Sequence, residues 1–110
     1  MTFPDDQVGE LVRLYPHTTE AQEAGVPYFL IPELALPAGQ NPPQVDALLC
    51  PNGRDGYPSR LFLSQALANL AGRNWTNVRI LERNWFAVSW RIRDGLRLAQ
   101  MVRAHLDAFR

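Results

Sequence analysis

The C-terminal segment constrains the fold most. Leu98, Val102, Leu106 and Phe109 recur at helical spacing and form one apolar stripe, widened by Ala99 and His105. Arg93, Arg97 and Arg103 fall mainly on the remaining face. A helix with a single apolar stripe has to bury it against another layer. Asp94 is suited to cap its N-terminus. A second helix is expected at the other end of the chain, from Asp5 to Leu14, where Val8, Leu11, Val12 and Tyr15 share a face. Asp5 or Asp6 can cap it and Pro16 ends it.

Between the helices the pattern changes from helical to extended. Thr18 to Ala24 reads as a polar, exposed strand, closed by a turn at Gly25. Pro27 to Ile31 is a stronger strand, rich in aromatic and β-branched side chains, and Pro32 places it at an edge or stops it early. Leu36 to Pro43 is dense in turn formers. Val45 to Cys50 is a third strand, apolar enough at its end for burial on both faces. The chain reverses over Pro51 to Gly56, and Tyr57 to Leu63 is partly extended. Leu63, Leu67 and Leu70 suggest a short helix over Ser64 to Ala71. The stretch from Asn74 to Ile92 holds all three tryptophans. Phe86, Val88, Trp90 and Ile92 alternate as one buried strand face, which turns Ser89 and Arg91 the other way. Helix, strands in a run, then helix implies an α+β sandwich. The expected core includes Leu30, Leu48, Leu61, Phe62, Trp85, Val88, Leu98, Val102 and Leu106.

Composition narrows the possible functions. With 110 residues the chain fits one domain, 1–110, which buries roughly two-thirds of its unfolded surface. Eleven basic and eleven acidic residues cancel, so no strong field draws the chain to nucleic acid or an anionic membrane. Tryptophan and arginine together can bind nucleic acid, but core packing is the usual role of tryptophan, and no nucleic-acid partner is expected. No apolar run approaches the ~20 residues of a membrane helix, and the acidic N-terminus lacks signal-peptide features, so no membrane partner is expected. Cys50 is the single cysteine, which excludes an internal disulfide and suits a reduced, cytoplasmic setting. Two histidines, His17 and His105, give no metal-ligand spacing, and no cofactor or metal is expected. His105 beside the apolar stripe is expected to pack with its polar edge satisfied. Cys50, at the end of an apolar strand, is expected to be buried and inert. All eleven basic residues are arginine and lysine is absent. A GC-rich genome explains this. So does avoidance of primary amines, which accept acyl groups.

Three features occur in an informative order: the Leu36-Pro37-Ala38-Gly39 loop, the Asp46 to Pro51 strand leading to Gly56-Tyr57-Pro58, and Trp85-x-x-x-Ser89-Trp90 followed by Asp94-Gly95-Leu96 and the last helix. This layout resembles the ubiquitin-conjugating-enzyme superfamily, in particular its small bacterial branch. The resemblance runs from the second strand to the end of the chain. It implies an N-terminal helix, a four-stranded antiparallel meander, a flap carrying Tyr57-Pro58, and a C-terminal helix. It also implies transfer of an activated C-terminal acyl group from a ubiquitin-like protein to an amine. The partners would be a ubiquitin-like protein and a ubiquitin-activating-type enzyme, in a bacterial setting such as antiphage defence.

The sequence departs from that family at the reacting group. No cysteine follows Tyr57-Pro58 and there is no His-Pro-Asn motif. In one reading Ser89 replaces the thiol and carries the acyl group as an oxyester. Tyr57, Pro58, Trp85, Arg83 and Arg91 would then form the flap and groove, the arginines facing a developing oxyanion. The Ser89 hydroxyl would need a general base, and His17, His105 or Asp94 would have to supply it through space. In the other reading the chain is non-catalytic and binds a ubiquitin-like protein or its activating enzyme. In either, Tyr57 is expected to be packed with its hydroxyl bonded.

Overall fold

The structure, a computed structural model, describes residues 3–54 and 56–110 and all their side chains but that of Asn69. The elements in chain order are α1 (Asp5–Leu14), β1 (Thr19–Glu23), β2 (Val26–Ala35), β3 (Gln44–Cys50), β4 (Arg60–Leu63), β5 (Trp75–Ile80), β6 (Arg83–Val88) and α2 (Leu98–Leu106). Short 3₁₀ turns occupy Ala68–Leu70 and Asp107–Phe109. The strands form one antiparallel six-stranded sheet in the order β1-β2-β3-β4-β6-β5. The α+β class is as expected, but the sheet has six strands where four were expected. Strands β1 to β4 pair in chain order, and the β5–β6 hairpin extends the sheet past β4.

The extra strands come from the tryptophan-rich stretch, which folds as a hairpin rather than one strand. Its turn residues, Leu81 and Glu82, both have positive φ, 52° and 64°. That is the geometry of a tight hairpin turn, here made without the usual Asn-Gly. β6 stops at Val88, short of the expected Ile92. Pro32 suggests an edge strand or an early end, yet β2 is an inner strand that runs on to Ala35, though its pairing with β1 stops at Leu30 and Pro32 lies beyond it. The strand absorbs Pro32 in a bulge between Ile31 and Leu34. Glu33 adopts φ 50° there, and its freed N–H donates to Asp46 Oδ1 at 3.0 Å.

Period-two alternation sends side chains to both faces of the sheet. Phe29, Ile31, Ala47, Leu49, Leu61 and Leu63 pack with Leu11 of α1 and with Leu98 and Val102 of α2. The intervening residues Tyr28, Leu48, Cys50 and Phe62 pack with Ile80, Trp85 and Ala87 in a second cluster. Arginines cover part of that cluster with their stems and planar heads. Arg83 lies 4.6 Å from the centre of the Trp85 ring, and Arg54 lies 5.8 Å from that of Phe62. Of the expected core, Leu48, Leu61, Phe62, Trp85, Val88, Leu98 and Val102 are buried, while Leu30 and Leu106 are half-buried.

The helices are joined by polar contacts that replace the expected caps. α1 covers the expected residues, but its N-cap is Pro4, with Asp5 and Asp6 in the first turn. α2 starts at Leu98, beyond Asp94. Its first free N–H groups are satisfied by glutamines instead. Arg97 N–H donates to Gln100 Oε1 at 2.8 Å, and Leu98 N–H donates to Gln7 Oε1 of α1 at 3.2 Å. Arg97 also pairs with Glu10 at 3.0 Å and Asp6 at 2.6 Å. The expected helix over Ser64 to Ala71 contracts to the single 3₁₀ turn. No helix of the described residues is long and apolar enough to cross a membrane.

Candidate functional site

The chain reversal after β3 builds one wall of a groove. Arg54 and Tyr57 exchange backbone hydrogen bonds of 3.0 and 2.9 Å, closing a tight turn. Gly56 supplies the positive φ of 84° that this turn requires. Its neighbour Asp55 lies outside the described residues. The turn holds the half-buried Tyr57 ring against two guanidinium groups. Arg60 approaches the ring centre to 4.4 Å and Arg91 to 5.6 Å. Arg60 is buried and donates to the Val88 carbonyl at 3.3 Å, which ties the Tyr57 platform to the end of β6.

The segment after β6 builds the opposite wall. Ser89 N–H donates to the Asn74 carbonyl at 2.9 Å, and Asn74 Nδ2 donates to Ser89 Oγ at 3.1 Å. Asn74 thus holds Ser89 through both backbone and side chain, and the serine remains exposed. Arg91 crosses the groove and donates to the Gly56 carbonyl. Gly56, Tyr57, Ser89, Trp90 and Arg91 line a cavity of about 410 Å³.

The structure therefore brings Ser89, Tyr57 and Arg91 together and leaves other expected site residues elsewhere. Pro58 follows Tyr57 without lining the groove. Trp85 is buried in the second cluster, its indole N–H bonded to the Ile80 carbonyl at 3.0 Å. Arg83 stacks on Trp85 and pairs with Asp46 at 3.3 Å. The Tyr57 hydroxyl was expected to be bonded, but it has no hydrogen-bond partner among the described residues. The ring contacts hold this side chain instead.

None of the three possible bases lines the groove. His17 lines a different cavity with Leu14 and Pro32. Asp94 is exposed in the loop before α2. His105 is buried on α2, where its Nε2 lies 2.9 Å from Ser59 Oγ. Burial, helped by the charge of Arg60, pushes the His105 imidazole down to about 4, so it is neutral at pH 7. Its packed, bonded state is as expected from its place on the stripe. Among the described residues no His, Asp or Glu lines the groove, and no group of three or more His, Cys, Asp or Glu could hold a metal ion. Cys50 is fully buried, its thiol donating to the Asn52 carbonyl at 3.2 Å.

Sequence reasoning missed Asn74, Arg60 and Ser59. Asn74 precedes β5 and Arg60 opens β4, and both act across the sheet on residues distant in the chain. Ser59 follows Pro58 and meets a histidine on the last helix. No local pattern marks any of the three. Comparison with protein-family models, curated proteins and solved structures returns no match for this chain.

Proposed function

We propose that this protein serves the conjugation of a ubiquitin-like protein as a binding partner. Its fold would be a variant of the ubiquitin-conjugating-enzyme-like one, enlarged by the β5–β6 hairpin. The groove between the Tyr57 turn and Ser89 receives the C-terminal tail of the ubiquitin-like protein. One observation carries the reading. The Gly56-Tyr57 turn and the Ser89-Trp90-Arg91 segment, far apart in the chain, line one groove together. The family resemblance implies that juxtaposition for a flap and an acyl-accepting site. Arg91 gives the groove a cation for the tail carboxylate or carbonyls.

The groove favours binding over acyl transfer. A serine hydroxyl needs a general base to become a nucleophile. Ser89 Oγ instead meets a neutral amide donor from Asn74, and Arg91 adds a cation to the same groove. Neither can take the hydroxyl proton. A second reading, with Ser89 as the acyl acceptor, draws on the exposure of its hydroxyl at the groove and on Arg91 as oxyanion stabiliser. The lysine-free sequence suits both readings, because it offers no side-chain amine to an activated acyl group.

Intact mass spectrometry separates the two. The chain is incubated with a bacterial ubiquitin-like protein, its activating enzyme and ATP, as wild type and as Ser89→Ala and Cys50→Ala. The expected result is no covalent adduct together with non-covalent binding. An adduct that resists thiol reductant and disappears only in Ser89→Ala would establish the oxyester reading instead. An adduct lost only in Cys50→Ala, or no binding at all, would overturn both.

A further inference from the structure

A second groove adjoins the first and is more basic. It has a volume of about 530 Å³ and runs along the N-terminal approach and outer face of α2. Its polar lining comes from Arg91, Arg93, Gln100, Arg103 and Asp107, and Trp90 supplies an aromatic wall. Trp90 and Arg91 also line the Tyr57–Ser89 groove, so the two cavities share these two residues.

The charges in this groove are not spent within the protein. Arg83, Arg97 and Arg110 each pair with a carboxylate. Arg93 and Arg103 are exposed and make no ion pair or hydrogen bond among the described residues. Among the described residues Arg91 contacts the neutral carbonyl of Gly56 and the ring of Tyr57, and it pairs with no carboxylate. The one carboxylate in the lining, Asp107, is already held by Arg110 at 2.7 Å. Asp94, beside Arg93 in the chain, is exposed and does not line the groove. Gln100 spends its carbonyl oxygen on the Arg97 N–H and keeps its NH₂ to donate. Among the described residues the groove therefore offers three guanidinium groups, an amide donor and one apolar wall against a single carboxylate, Asp107, which is ion-paired with Arg110.

From this we infer that the Arg91–Arg93–Arg103 groove binds a short acidic segment of a partner protein. Guanidinium forks match carboxylates, and Trp90 suits the methylene stems of glutamate. The volume lies within the range of about 300–1,000 Å³ that suits a compact ligand, so it holds a few residues of peptide. A long polyanion such as nucleic acid is disfavoured, because the whole chain carries no net charge. The inference goes beyond the conjugation reading and does not depend on it.

The three tryptophans make the test site-specific. Each indole N–H has its own acceptor: Leu70 for Trp75, Ile80 for Trp85 and Ala104 for Trp90. An ¹⁵N–¹H spectrum of the chain is followed while a peptide containing five consecutive glutamates is added. The expected result is a saturable shift of the Trp90 indole signal, with those of Trp75 and Trp85 in place. Arg93→Glu/Arg103→Glu should weaken binding at least tenfold. Arg73→Glu/Arg79→Glu, the same charge change at other exposed arginines, should weaken it by less than threefold. Raising the salt should weaken wild-type binding, and a glutamine peptide should not bind. No shift of Trp90, equal weakening by both double variants, or tighter binding of a single-stranded oligonucleotide than of the peptide would overturn the inference.

Discussion

Acidification should destabilise this protein through His105. The imidazole is buried between α2 and the start of β4, with Ser59 Oγ at 2.9 Å from Nε2 and the Arg60 charge nearby. In the unfolded chain it takes a proton near 6.5, whereas in the fold it resists until about 4. The sign follows from proton binding. Above pH 6.5 both states are neutral and the native fold keeps its full stability. As pH falls from 6.5 towards 4, the unfolded chain binds a proton that the native one refuses, so stability is lost over that window. Below about 4 both states are protonated and the loss levels off. At about 1.4 kcal/mol per pH unit, the loss amounts to about 3 kcal/mol. Native domains hold only about 5–15 kcal/mol in all. Urea unfolding of wild type and His105→Gln, at intervals from pH 7 to pH 4, reads the effect. The carboxylates titrate alike in both proteins, so the difference between the two curves isolates the histidine. Wild type should lose about 3 kcal/mol more than the variant across the window. Parallel curves, or a His105 titration by NMR near 6.5, would refute the reasoning.

Trp85→Ala should cost about 3–5 kcal/mol in chemical denaturation, because Trp85 is fully buried and its indole N–H holds the Ile80 carbonyl beside the hairpin turn. Cys50 should react with an aromatic disulfide reagent only after unfolding, since the thiol is fully buried. Rapid stoichiometric labelling of the native protein would contradict that burial. The hydrogen bond from Arg97, aided by its charge, holds the Asp6 carboxyl below its ordinary 3.8. Arg97→Gln should move the Asp6 titration up towards that value, as read by carboxyl NMR. The stability that Asp6 contributes at neutral pH, and loses as pH falls, should shrink in the same variant.

Local physics made much of the fold legible. The spacing of Val8, Leu11 and Val12 places α1 over Asp5 to Leu14, where the structure has it. The apolar run ending at Cys50 is buried on both faces, as its composition implies. The errors arise where tertiary contacts override a local signal. Pro32 is tolerated in β2 because pairing with β1 ends at Leu30, a bulge on the β3 side removes the need for its N–H, and Asp46 takes up the N–H of Glu33. The β5–β6 hairpin escaped notice because Leu81 and Glu82 carry no turn signature, yet both adopt positive φ. Gln7 of α1 helps to start α2, so the first turn of that helix could not be placed from its own residues. The same limit applies to the candidate site. Ser89 and Arg91 are exposed, as alternation along a strand to Ile92 implies, although β6 ends at Val88 and both lie beyond it. Their meeting with Tyr57 depends on Arg60 and Asn74, which reach across the sheet.

The most direct test of the proposed function is the affinity of the chain for the tail of a ubiquitin-like protein. A fluorescent peptide of that C-terminal tail is titrated with wild type, Tyr57→Ala and the surface control Arg79→Ala, and anisotropy is read. Saturable binding should weaken at least tenfold in Tyr57→Ala and stay within threefold of wild type in Arg79→Ala. Absence of binding to wild type, or equal affinity for wild type and Tyr57→Ala, would contradict the assignment of the Tyr57–Ser89 groove as the tail site.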